Sequence, residues 1–97
     1  MNETIAASVV LYHPNKDELM RNIASYLPSV SRLFIIDNTP GGCGLDSEIF
    51  HNEKTFYLAN NKNEGIATAL NQAATLAYNE KFRWLLTMRP GFFFWGR

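Results

Sequence analysis

Five residues of this chain have side chains or backbone freedom suited to chemistry on a polar, planar ligand: Tyr12, Asp37, Asn63, Gly65 and Asn71. An aromatic ring such as Tyr12 can stack on a base, and a carboxylate such as Asp37 can accept from a base N–H or a ribose hydroxyl. Asn63 is spaced to cap a helix whose second position is Gly65. A helix start offers free N–H groups and a positive dipole to carbonyl or phosphate oxygens. Glycine costs about 1 kcal/mol against alanine inside a helix, so Gly65 suggests close approach by a ligand or a neighbouring backbone. Asn71, one turn after Ala67 at the edge of the buried face, could bond a loop or a ligand. Each feature also has a plain structural reading. Tyr12 can be a strand-end aromatic, Asp37-Asn38 can be turn formers, Gly65 can be a packing choice, and Asn71 can be a solvent-facing amide beside Gln72.

The elements that must position these residues alternate between strand and helix. Ile5 to Leu11, IAASVVL, is a continuous apolar run with β-branched residues, suited to a strand covered on both faces. Asn15 and Glu18 form a capping-box-like start for a helix with a stripe of Leu19, Met20, Ile23, Ala24 and Leu27, stopped by Pro28. Leu33 to Ile36 make a second strand, ending at Asp37. Leu45 to His51 hold a short helical turn, and Thr55 to Leu58 a third strand. Ile66, Leu70, Ala73 and Ala77 give the second helix a narrow face of small residues that can lie flat on a sheet, and Phe82 to Met88 supply a fourth strand. The expected fold is α/β: an open, mostly parallel sheet of about four strands with helices on its faces. Tyr12 and Asp37 then fall at the carboxyl ends of strands, where such sheets bind ligands.

Composition narrows the function classes. At 97 residues, 46% of them hydrophobic, the chain is one domain at most. Nine basic and nine acidic residues cancel without a basic face, which argues against binding the phosphate backbone of nucleic acid. The lone Cys43 excludes an internal disulfide and a thiolate zinc site. No signal peptide or membrane span is legible, so a cytoplasmic protein is expected. His13 and His51 lack ligand spacing, and Gly41, Gly42 and Gly44 match no phosphate loop and read as a mobile connection.

In order, VVLYHPN, LFIIDNTP, NKNEGIATALNQAATLA and FRWLLTM resemble the N-terminal half of a family 2 glycosyltransferase of the GT-A fold, most closely the rhamnosyltransferase-like members. The likeness runs from Ile5 to Met88. It implies a Rossmann-like nucleotide-binding half. Tyr12 would stack on the base of a nucleoside-diphosphate sugar, Asp37 would bind base or ribose, and Asn63, Gly65 and Asn71 would shape the pocket. The implied reaction is transfer of a sugar from a UDP- or dTDP-sugar to a saccharide acceptor in polysaccharide synthesis.

That family follows its fourth strand with an acidic motif, Asp-Gln-Asp-Ser in the rhamnosyltransferase-like branch, which helps hold Mg2+ or Mn2+ against the diphosphate leaving group. Here the matching positions are Arg89, Pro90 and Gly91, so neither a metal site nor a catalytic residue is expected. Codons for Asp-Gln-Asp-Ser-Phe entered one base early read Arg-Pro-Gly-Phe-Phe, the run from Arg89 to Phe93, which suggests a frameshift after Met88. On this reading residues 1–88 are the nucleotide-sugar-binding half, and 89–97 are an aberrant aromatic tail with no helix or strand left to cover it. The alternative is a non-catalytic nucleotide-binding fragment, or one that self-associates through Phe92, Phe93, Phe94 and Trp95.

Overall fold

Strand β1, Ile5–Leu11, lies at the centre of the sheet, and its composition explains why. Ala6, Ala7, Ser8, Val9 and Leu11 are all buried, so both faces are covered, as its unbroken apolar run requires. The computed structural model describes residues 5–44, 52–89 and 92–96, with Arg89 and residues 92–96 described by their backbone alone. β1 pairs in parallel with β2 (Arg32–Asp37) on one side and with β4 (Trp84–Arg89) on the other. β3 (Thr55–Ala59) adds to β2 in parallel, and β5 (Phe92–Gly96) adds antiparallel to β4, giving the order β3-β2-β1-β4-β5.

Alternation along the strands separates two cores. Ala7, Val9, Leu11, Leu33, Ile35 and Met88 pack with Leu19, Ile23 and Tyr26 of helix α1 (Lys16–Tyr26). Ala6, Phe34 and Ile36 point the other way and pack with Ala69, Ala73 and Ala77 of helix α2 (Ile66–Asn79). The helices therefore cover opposite faces, in agreement with the expected α/β sheet.

Asn15 caps α1 as expected, its Oδ1 accepting from the Glu18 N–H at 2.9 Å. The buried stripe of α1 is Leu19, Ile23 and Tyr26, while Met20 and Ala24 face solvent. The helix is turned slightly from the expected stripe, with Tyr26 joining the buried cluster and Leu27 partly buried against it. α2 differs similarly: Ile66 is exposed, and Ala69 takes its place on the sheet. Three alanines spaced by four let the α2 backbone approach closely.

The chain moves from β1 through α1 to β2 and β3, then returns through α2 to β4 on the far side of β1. The strand order thus reverses between β1 and β4, the position at which open α/β sheets take ligands. Residues 92–96, expected to lack a strand to lie on, find one in the open edge of β4, with Leu86 opposite Trp95. The turn expected over Leu45–His51, together with Pro90, Gly91 and the side chains of Phe92, Phe93, Phe94 and Trp95, lies outside the described residues.

Candidate functional site

The carboxyl ends of β1, β2 and β3 and the start of α2 come together on one side of the sheet. After β1 the chain turns sharply at His13, whose φ of +49° is left-handed and rare for a residue with a side chain. The turn is held by its N–H, which donates to Thr39 Oγ1 at 2.9 Å. The Tyr12 ring is left 54% exposed, edge-on to the His13 ring at 4.4 Å between centroids. An exposed aromatic at this position is free to take a planar ligand.

Asp37, expected to meet base or ribose, is turned inward and fully buried. Its Oδ1 accepts from the Thr39 N–H at 2.9 Å, and its Oδ2 accepts from the Cys43 N–H at 3.0 Å and the Tyr57 hydroxyl at 2.5 Å. Burial pushes the carboxyl pKa up, but the hydrogen bonds from Tyr57, Thr39 and Cys43 outweigh it and hold the group below its ordinary 3.8. Tyr57 responds in the opposite sense. Burial first, and then the Asp37 charge it donates to, keep its hydroxyl protonated far above the usual range. Asp37 thereby shapes the loop after β2. That loop, read from its glycines as mobile, is tied down further by Gly41 N–H to Asn61 C=O at 3.2 Å and Gly42 N–H to Thr39 C=O at 2.8 Å.

Gly65 is the cap of α2 rather than its second residue, with φ +89° and ψ 157°, a region open essentially to glycine alone. A methyl group there would meet nothing within 4 Å, so the glycine is required by backbone conformation and not by close approach. Asn63 does not cap the helix. Its Oδ1 accepts from the Gly65 N–H at 2.9 Å and closes the turn that leads in. Asn71 is exposed and lines an open groove of about 400 Å³ with Leu58, Thr68, Gln72, Thr75 and Leu76.

The amide that reaches the strand ends belongs to Gln72. Asn60 Nδ2 donates to Gln72 Oε1 at 2.9 Å, and Gln72 Nε2 donates back to Asn60 Oδ1 at 3.0 Å. Asn60 Nδ2 also donates to Asn38 Oδ1 at 2.7 Å, and Asn38 Nδ2 donates to the Gly65 carbonyl at 3.1 Å. Asn38 is 2% exposed, so these bonds replace water rather than compete with it. The signal for this network was in the sequence: an asparagine stands just past β2 and another just past β3. Only the fold reveals that they meet.

Of the five expected residues, Tyr12 follows the end of β1, Gly65 starts α2, Asn63 orders the approach to Gly65, Asp37 is buried beneath the loop after β2, and Asn71 lines the groove beside α2. Among the described residues no three His, Cys, Asp or Glu side chains cluster. Arg89 ends β4, where the resembled family carries acid, and a cationic side chain is no ligand for Mg2+ or Mn2+. No helix among the described residues is long and apolar enough to cross a membrane. In comparison with known proteins, the chain matches no protein-family model, and no curated protein is similar to it.

Proposed function

We propose that this chain is the nucleotide-sugar-binding half of a GT-A family 2 glycosyltransferase of the rhamnosyltransferase-like kind, and that its crevice takes a UDP- or dTDP-sugar. A cytoplasmic location and a role in polysaccharide synthesis go with that reading. The observation that carries it is the meeting of an exposed aromatic, Tyr12, with ordered polar loops and the α2 start beyond the carboxyl ends of the parallel strands β1, β2 and β3. Tyr12 would stack on the base, the turn from Asn60 to Gly65 would face ribose or diphosphate oxygens, and Asp37 would keep the loop after β2 in shape. No transfer step is assigned to these residues. With Arg89 in place of an acid, the role is binding.

The test is titration of the 15N-labelled chain with UDP and with dTDP. Saturable shifts are expected at Tyr12, His13 and residues 60–65. Tyr12→Ala should weaken binding by roughly fivefold or more, since base stacking on an aromatic contributes about 1–3 kcal/mol. Silence at millimolar concentrations of both nucleotides would refute the reading.

A further inference from the structure

Four groups at the strand ends form a chain of amides whose direction is fixed from one end. The Gly65 carbonyl can only accept, so Asn38 must offer it Nδ2 and turn Oδ1 toward Asn60. Asn60 must then offer Nδ2 to Asn38, which leaves its Oδ1 for Gln72. The second Asn60 N–H and the Gln72 amide close a reciprocal pair. Each amide therefore has one allowed orientation, and the series runs from Gln72 on α2, through the ends of β3 and β2, to the residue that starts α2.

We infer that Asn38 and Asn60 are positioning residues for the ligand crevice: the polarity of their amides, beyond which Gln72 only terminates the chain, holds the Gly65 carbonyl and fixes how the turn from Asn60 to Gly65 faces a bound nucleotide. The inference rests on the nucleotide-binding reading above. Gly65 has a positive φ; its N–H is held by Asn63 Oδ1, and its carbonyl accepts from the Ala69 N–H at 3.2 Å as well as from Asn38. Asn38 supplies the side-chain bond to its carbonyl, from a buried site that water does not reach. The network therefore acts at the residue where the chain turns into α2.

Two isosteric substitutions separate positioning from mere loss of a hydrogen bond. In Asn60→Asp both oxygens accept, so one of them opposes Asn38 Oδ1. Relief requires Asn38 to turn its Nδ2 away from Gly65. In Gln72→Glu one bond to Asn60 is also lost, but Asn60 still donates to Asn38, and the half-buried side chain can swing toward water. Both variants add the same negative charge on neighbouring side chains, so any repulsion of a diphosphate is matched to first order.

The experiment measures UDP and dTDP affinity by NMR in the full chain and both variants, with the 13C shift of the Gly65 carbonyl in the free proteins. Asn60→Asp should move the Gly65 shift and weaken binding roughly tenfold or more, as misplaced contacts do, while Gln72→Glu leaves the shift and stays within roughly threefold. Should Asn60→Asp fail to fold, Asn38→Ser removes the bond to Gly65 while keeping the Asn60–Gln72 pair, and must give the same loss. Equal affinity in the two isosteric variants, or an unmoved Gly65 carbonyl in Asn60→Asp, overturns the inference. A wild-type chain that binds neither nucleotide overturns the proposed function, and the inference with it. Saturable wild-type binding that survives Asn60→Asp overturns the inference alone.

Discussion

Replacing Tyr57 by Phe should destabilise this protein by about 2 kcal/mol at pH 7, because it deletes the hydroxyl that donates to a buried carboxylate. Hydrogen bonds to charged groups contribute about 1.5–3 kcal/mol each, and partial exposure of Tyr57 on the edge strand argues for the lower half of that range. The ring is retained, so no cavity term is added, and Asp37 keeps its bonds to the Thr39 and Cys43 backbones. The effect must depend on pH with a definite sign. The folded-state pKa of Asp37 lies below its ordinary 3.8, so its stabilisation is complete above that value and is lost as pH falls through the lower, folded-state one. Tyr57→Phe removes the largest of the hydrogen bonds that lower this pKa, so its cost should be constant from pH 7 to pH 5 and shrink below about pH 4. Urea unfolding followed by far-UV circular dichroism would measure it, alone and in an Asp37→Asn background. A loss under about 0.5 kcal/mol at pH 7, or an equal loss with Asn at position 37, would refute the assignment of Asp37 as a charged tie beneath the loop.

Gly65→Ala should cost about 1–3 kcal/mol in the same assay through backbone strain alone, and an unchanged midpoint would mean that the start of α2 is not fixed as described. Arg32→Ala should cost about 1 kcal/mol, since the guanidinium spans Glu80 at 3.1 Å and the Glu53 carbonyl at 3.2 Å while lying over the Phe34 ring. Part of that cost should fade in high salt, and a salt-independent loss would assign it to packing on Phe34 instead.

Much of the fold was legible because it is local. IAASVVL could only be a strand covered on both sides, and Asn15 with Glu18 marks a helix start within four residues. The differences arose where distant parts decide. Gly65 is equally compatible with a helical position and with a left-handed cap, and the bond from Asn38 and the Asn63 turn select the second. Whether Asn71 or Gln72 reaches inward depends on a small rotation of α2, set by Ala69, Ala73 and Ala77 seating on Phe34 and Ile36. Nothing adjacent to Asp37 announced that its donors would be Tyr57 from β3 and the backbone of Cys43. The pairing of residues 92–96 required knowing that β4 has an open edge.

The order of the strands has a consequence for how the protein is made. Of the five strands described, β1 leaves the ribosome before the others, yet it completes its ladder only when β4 arrives, because the register pairs Val9 with both Ile35 and Met88. During synthesis β1 can join β2 and pack on α1, but one side keeps a bare row of backbone donors and acceptors beside apolar residues. Such an edge is a template for pairing with another chain. The interval between β2 and β4 is therefore the vulnerable period of biogenesis, and changes that slow emergence of α2 and β4 should lower the yield of native protein even where they leave the finished molecule untouched.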